Sequence, residues 1–460
     1  MTEDRFPRAA ILTRRHVPAR RSRALRGAVV AVLAALFAAL PVSAQDAHYW
    51  TYGYGPIRQL TEGTLVGGVS DLSAVYYNPG ALALLDKPRF VVGLTSVEFA
   101  NIDIPDVAGE GLDADQLVFD IVPSIVAGQV GGDDGRDRFA FAFLSRHDSD
   151  WDLGVNRASV SGASPDATAA FGRVRQRLVE YWVGGTWSHR FSERFSVGIS
   201  PFLAYRAQRS RRSVEYEDLA GGAVRSVFSG REHEYNHGRV LAKAGLAFRP
   251  GDWELGLTAT APGFKVWSQG KVVWNASASG VSGSPFLSAS TQKGLDATYH
   301  APWSVAGGAT WRRGGTAVHS TAEWFSSVAP YDILAPEPAP VAGSASTISL
   351  VYRGEATSVA CYGVGLEQRL GDRLVLYGGA AHNESAYVPL RDTFAAWDLT
   401  DLTGGFTLAT GRATLAFGVG YAWGNNPITT SVQVPGQPEG PTTTDAHFSR
   451  WTLSFGASFR

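Results

Sequence analysis

The chain has one cysteine and one methionine in 460 residues, and only 18% of its residues are charged. A lone Cys361 excludes an internal disulfide and a cysteine-based zinc site. Lys+Arg number 41 against 42 Asp+Glu, so no basic excess exists to offset phosphate charge, and nucleic acid is not an expected partner. No run of roughly 20 apolar residues occurs, and mean hydropathy is -0.06, which excludes a polytopic helical membrane protein. P-loop, GxGxxG and GxSxG patterns are absent, so neither a cofactor nor a catalytic residue is expected. What is abundant is glycine (52), tryptophan (13) and aromatic residues in general (11%).

The first 44 residues read as a signal peptide. Arg5, Arg8, Arg14, Arg15, Arg20, Arg21, Arg23 and Arg26 precede an apolar stretch, Gly27 to Leu40, that is too short to span a bilayer. Pro41 ends that stretch, and Val42-Ser43-Ala44 offers small residues at -3 and -1, so cleavage is expected after Ala44. Without residues 1–44, which hold eight of the 41 bases and two of the 42 acids, the exported chain has 33 basic and 40 acidic groups and a net charge of -7. Met1 is the only methionine, which leaves the translation start open.

Beyond the signal, large and small side chains alternate with period 2 in segments of about ten residues, the length that a tilted membrane strand requires. Ala413, Leu415, Phe417, Val419, Tyr421 and Trp423 alternate with Thr414, Ala416, Gly418, Gly420 and Ala422. Phe139, Phe141 and Phe143 alternate with Arg138, Ala140 and Ala142. Fourteen strands are expected, at 88–98, 117–128, 137–147, 177–190, 194–208, 238–249, 252–262, 300–312, 315–327, 356–369, 373–384, 400–410, 412–424 and 447–460. Long connections, 148–176, 209–237, 263–299, 328–355 and 425–446 among them, alternate with short turns such as Pro250-Gly251. That is the layout of an even-stranded barrel with both chain ends on one side. The fold class is therefore all-β, a 14-stranded antiparallel transmembrane β-barrel over residues 88–460. The last segment alternates Trp451, Leu453, Phe455 and Phe459 with small residues, the form of a terminal strand read by the barrel-assembly machinery, although Arg460 follows the final aromatic.

Residues 45–87 lack this alternation. Within them, Asp71-Leu72-Ser73-Ala74-Val75-Tyr76-Tyr77-Asn78-Pro79-Gly80-Ala81-Leu82 resembles the plug signature of the FadL-type outer-membrane transporters of long-chain fatty acids and other hydrophobic compounds. An acidic and small stretch is followed there by an aromatic-Asn-Pro turn. The resemblance covers about a dozen residues in sequence and the whole exported chain in layout. It implies a small N-terminal plug inside the barrel, with Asn78, Pro79 and Gly80 as its positioning turn. It also implies a bacterial outer-membrane monomer, surrounded by outer-membrane lipid, that takes up a hydrophobic ligand passively. In that family the ligand enters from extracellular loops and leaves sideways through a kinked third strand; nothing in 137–147 marks a kink.

Alternation places Arg138, Arg146, Glu180, Arg206, Arg239, Lys243, Glu254, His319, Glu323, Glu367 and Arg369 on the lumen face. Such a mixed-sign set either pairs internally and braces the plug, or leaves a base (Arg206, Arg239 or Lys243) to hold a ligand carboxylate. His233-Glu234-Tyr235-Asn236-His237 matches the H-E-x-x-H zinc pattern, but no apolar helical face surrounds it and no third ligand is indicated. It is expected to be a polar stretch of an extracellular loop, with no metal. Two alternatives to transport stand at this stage: a barrel that serves as an assembly or secretion partner, and a barrel-embedded hydrolase, for which no Ser-His or acidic constellation is apparent.

Overall fold

The computed structural model describes residues 48–50, 52–86, 89–106, 113–131, 135–160, 167–220, 223–279, 286–340, 347–386, 397–430 and 442–459. The expected signal peptide and Arg460 lie outside these residues.

Period-2 alternation sorts side chains onto two faces of a strand, and the described strands obey it. Their order is β1 (Phe90–Ile104), β2 (Ala114–Val122, then Ile125–Val130), β3 (Asp137–Val160), β4 (Ala167–Ser192), β5 (Phe195–Ala220), β6 (Ala223–Phe248) and β7 (Trp253–Thr260, then Phe264–Ser279). There follow β8 (Phe286–Leu295, then Ser304–Arg313), β9 (Thr316–Phe325), β10 (Val359–Leu370), β11 (Leu374–Asn383), β12 (Leu399–Thr410), β13 (Ala413–Thr430) and β14 (Thr442–Phe459). Neighbours are antiparallel, and β14 closes on β1 from Phe90↔Phe459 to Asp103↔His447, giving a closed barrel of fourteen strands. Closure removes the free sheet edge.

On β3 the two faces separate cleanly: Phe139, Phe141 and Phe143 are 50%, 47% and 41% exposed, whereas Ala140 and Ala142 are 4% and 1%. Val183, Leu203, Val364, Leu402, Phe417, Leu453 and Phe455 continue the outward apolar band around the ring. Water would penalise that band by roughly 25 cal/mol per Å² of apolar surface; bilayer hydrocarbon does not.

Four expected loops are corrected. The described residues of 148–176, 209–237, 263–299 and 425–446 belong largely to strands, because β3 to β8, β13 and β14 run on past the apolar band. Charge carries the alternation there. Arg173, Arg175 and Arg177 on β4 bind Asp152, Asp150 and Asp148 on β3, with N–O distances of 2.5, 3.1 and 2.7 Å. Apolar alternation ends at the band, and beyond it cross-strand ion pairs hold the strands together.

Besides a register shift between Arg190 and Ser192 at the β4–β5 turn, the described wall is irregular in two regions. β1 shifts register between Leu94 and Ser96, β2 breaks at Pro123-Ser124, and β3 shifts between Ser145 and His147. These irregularities are adjacent: Ser124 N–H donates to the Gly93 carbonyl at 3.2 Å, and Ser145 N–H to the Ser124 carbonyl at 3.0 Å. Pro123 supplies no donor, and a strand that contains it must interrupt its ladder. The second irregular region is at Ala261-Pro262-Gly263 of β7 and Asp296–Trp303 of β8. Between β9 and β10, a hairpin pairs Val328–Leu334 with Tyr352–Ala356 and packs Ile333, Leu334 and Leu350 against Tyr235, Val272 and Trp274.

Residues 52–86 form short helical turns, Arg58–Leu60, Ala74–Tyr77 and Pro79–Leu84, instead of strands. They touch the inward face on all sides of the ring. Val66 meets Gly256 of β7, Gly80 meets Gly245 of β6, Thr61 meets Gly379 of β11, Leu60 meets Gly418 of β13, and Pro56 meets Gly456 of β14. Inward glycines remove the side chains that would otherwise fill this space.

Candidate functional site

The Asn78-Pro79-Gly80 turn is built from local rules and locked by the wall. Pro79 starts the helical turn, where its missing N–H costs nothing. Asn78 Oδ1 accepts from Gly80 N–H at 3.1 Å, while its Nδ2 donates to the carbonyls of Val66 at 2.9 Å and Leu246 at 2.8 Å. The Gly80 carbonyl accepts from Ser188 Oγ at 3.0 Å and Ser196 Oγ at 2.6 Å. Gly80 is also a steric requirement, because a Cβ there would sit 2.6 Å from the Gly245 carbonyl oxygen.

Tyr76, Trp182, Tyr299 and Phe325 line a small, partly open space of about 40 Å³ together with Arg146, Glu180, Arg239 and Glu323. Tyr76 packs edge-on against Tyr54 at 4.4 Å and tilts against Trp182 at 6.0 Å. Of the charged groups facing the space, Glu180 and Arg239 bind one another. Glu180 Oε1 accepts from Arg239 at 2.6 Å and from Trp182 Nε1 at 2.5 Å, and Glu180 Oε2 accepts from Arg206 at 3.0 Å. Both guanidinium groups lie over the Tyr299 ring, at 4.2 Å (Arg206) and 4.6 Å (Arg239). Arg206 also donates to Tyr235 Oη at 3.0 Å. Glu323 accepts from Trp50 Nε1 at 2.8 Å and Ser304 Oγ at 2.7 Å.

The remaining lumen bases divide into two kinds. Arg138 donates to the Leu82 and Leu85 carbonyls, and Arg146 to the Tyr49 carbonyl, so both hold the N-terminal segment. Lys243 is 2% exposed and holds its ammonium 4.4 Å from the Tyr76 ring centre, with no carboxylate within 4.0 Å among the described residues. Arg249, which donates to the Leu84 carbonyl at 2.7 Å, was not singled out from the sequence. Nor was a second polar cluster, in which Arg450 reaches Glu98 at 3.5 Å and Asp401 at 3.6 Å; alternation puts Arg450 and Asp401 inside, and the register shift between Leu94 and Ser96 brings Glu98 there.

The H-E-x-x-H stretch lies in β6 and not in a loop. In a strand, positions i and i+4 are roughly 13 Å apart, too far to share one metal ion. His233 stacks on Tyr352 at 4.6 Å, His237 meets Tyr299 edge-on at 5.9 Å, and Glu234 points to the opposite face. No group of three or more His, Cys, Asp or Glu side chains suited to a metal ion occurs among the described residues.

No family model and no curated protein matches the chain. Solved structures do. A Pseudomonas aeruginosa FadL homologue aligns over 90% of this chain and 99% of its own, at 12% identity and a TM-score of 0.58. The Ralstonia pickettii toluene transporter TbuX aligns over 89% and 99%, at 16% identity and a TM-score of 0.54. The P. putida toluene transporter TodX aligns over 89% and 99%, at 14% identity and a TM-score of 0.54. The fourteen-strand barrel with its inward N-terminal segment is thus the FadL fold.

Proposed function

We propose that the protein is a non-enzymatic outer-membrane transporter that lets hydrophobic molecules cross passively, with residues 45–87 as its plug. The outward apolar band supports a membrane-spanning barrel, and the folds it shares are those of a FadL homologue and of toluene transporters. A water-filled pore gives an apolar solute no gain, whereas an aromatic-walled pocket does.

The observation that carries the choice of solute is the Glu180 cluster. Arg206 and Arg239 both donate to the single buried carboxylate of Glu180, so although one positive charge is left over, an anion entering the pocket would have to compete with that carboxylate for donors already committed to it. The rings of Tyr76, Trp182 and Tyr299 beside it suit a neutral, compact hydrophobic solute such as a monoaromatic, which the small space between them takes in by widening. A second reading, uptake of long-chain fatty acids, is favoured by Lys243, whose ammonium lies over the Tyr76 ring with no carboxylate beside it among the described residues. The barrel-assembly machinery is the expected partner in biogenesis, and the working unit is a monomer.

The test is uptake of labelled toluene and labelled oleate by cells expressing wild-type protein or Lys243→Met. On the neutral-solute reading, toluene uptake is the same in both. Loss of oleate uptake alone in the variant identifies the fatty-acid reading, and uptake of neither by wild type defeats both.

A further inference from the structure

The β7–β8 seam lacks rungs over part of its length. These strands pair from Trp253↔Trp311 to Thr260↔Ser304, and again from Gly270↔Leu295 to Ala278↔Phe286. Between these ladders, residues 261–269 of β7 and 296–303 of β8 share no rung. The β7 side stays attached to β6 only, through pairs such as Val240↔Phe264 and Gly238↔Trp267. Alternation fails there: Phe264, Lys265, Val266 and Trp267 are all exposed, Phe264 at 81%.

Sequence dictates the break. Pro262 has no N–H to give β8. Gly263 has φ +95°, and a Cβ on it would lie 2.8 Å from the Val240 carbonyl oxygen. On the other side, residues 296–303 turn inward and bind the β9–β10 hairpin, through an Ala297↔Leu334 bridge and Thr298 N–H to the Ile333 carbonyl at 2.9 Å. As a result Ala261 and Pro262 of one strand, and Ala301 and Pro302 of the other, line the same aromatic pocket as Tyr299.

Side chains, not a backbone ladder, span the opening. Lys265 Nζ donates to Asp296 Oδ1 at 2.8 Å and Oδ2 at 2.6 Å, Ser268 Oγ donates to Asp296 Oδ1 at 2.7 Å, and Ala297 N–H donates to Ser268 Oγ at 3.0 Å. The ion pair is exposed, and exposed pairs are worth little, so it opens far more easily than a run of strand hydrogen bonds. Irregular backbone at membrane depth is tolerated where it lines a cavity, and this seam does so. Trp267 stacks on Tyr205 at 6.0 Å beside it, and paired aromatics of this kind mark the edge of a membrane band.

We propose that the β7–β8 seam is a side port through which a neutral hydrophobic solute passes between the outer-leaflet level of the membrane and the lumen pocket, latched by Lys265 and Asp296. The proposal rests on the transport reading above. It concerns a different part of the wall from the β1–β3 irregularity.

The test uses Lys265→Cys/Asp296→Cys in a Cys361→Ala background, expressed in cells and bridged with a short reducible bismaleimide, with uptake of labelled toluene as the readout. The expected result is uptake by the unbridged variant, loss of uptake to the level of cells without the gene on bridging, and recovery on reduction. Ala261→Trp, which fills the port without chemistry, should lower uptake as well and guards against a double variant that folds poorly. Uptake unchanged by the bridge and by Ala261→Trp overturns the port while leaving transport standing. A wild-type protein that takes up no hydrophobic probe overturns the transport reading and the port with it.

Discussion

The side-chain amide of Asn78 donates to the backbone carbonyl of Leu246, 168 positions along the chain and 2.8 Å away. A carbonyl already committed to the wall thus gains a second donor from the segment inside it. The same amide also satisfies Val66, so one residue fixes two stretches of the N-terminal segment to β6.

Asn78→Ala removes three hydrogen bonds at a buried site, two of them to otherwise distant carbonyls. At about 0.5–1.5 kcal/mol net per bond, the attachment of the segment should weaken by about 2–4 kcal/mol. Hydrogen exchange should then speed up at amides 74–82 while the β10–β14 amides keep their protection. Equal loss at both places would show that the segment is not a separately held unit.

Gly256 faces Val66 so closely that a Cβ would lie 1.8 Å from the Val66 carbonyl oxygen, and across the ladder Gly308 has a Cβ position 2.7 Å from Gly67 N. Gly256→Ala is therefore an overpacking change, with an expected cost of about 1–3 kcal/mol. Gly307 has open space around its Cβ position, and Gly307→Ala should be close to neutral. Heat-modifiability on gels, compared between the two variants, checks the contrast.

Glu180→Gln leaves two buried guanidinium groups, Arg206 and Arg239, without their carboxylate. Breaking a buried pair from one side typically costs about 3–5 kcal/mol, and that is the loss of stability expected in denaturant unfolding. Glu180→Gln combined with Arg239→Gln should recover part of it, because one of the stranded charges is gone. A double variant no better than the single would contradict the pairing.

Asp71 sits in the N-terminal segment and is buried, with Ser73 N–H at 2.8 Å from Oδ1 and no partner on Oδ2 among the described residues. Burial pushes its carboxyl above the usual carboxylate value, and the bonds from Ser73 pull it only part of the way back. The folded state thus favours the protonated acid. Its contribution to stability is full below the unfolded value near 3.9 and falls as pH rises through that value towards the folded one. Asp71→Asn should slow exchange of the segment's amides at pH 7 and change little at pH 3. The opposite pH dependence would mean that the carboxylate is stabilised in place.

The parts of the molecule that the sequence made legible are those where one physical rule acts alone. Alternation from Ala413 to Gly424 identifies β13 because lipid on one side and a packed lumen on the other leave no other assignment. Arg173, Arg175 and Arg177 were lost to a loop because their alternation is one of charge, and its sense appears only once Asp152, Asp150 and Asp148 are opposite. In the site, the lumen face of Glu180, Arg206 and Arg239 was legible, but their association was only partly so. The β4–β5 hairpin brings Glu180 opposite Arg206, but only through a one-residue register shift between Arg190 and Ser192; counting back from Ser192 and Phe195 gives Ala207 instead. Arg239 joins them through the β5–β6 register, hidden while 209–237 was read as a loop. The breaks at Pro123 and Pro262 are visible as prolines inside strands, yet their meaning depends on what lies behind each one in the folded wall.

Uptake of labelled toluene measures passive passage of a neutral hydrophobic solute through the barrel most directly. Cells of a Gram-negative strain without its own hydrophobic-compound channel should take up the probe faster when they make this protein, and should take up a sugar of similar size no faster. No expression-dependent uptake, with a folded, heat-modifiable barrel present in the outer membrane, would contradict the account.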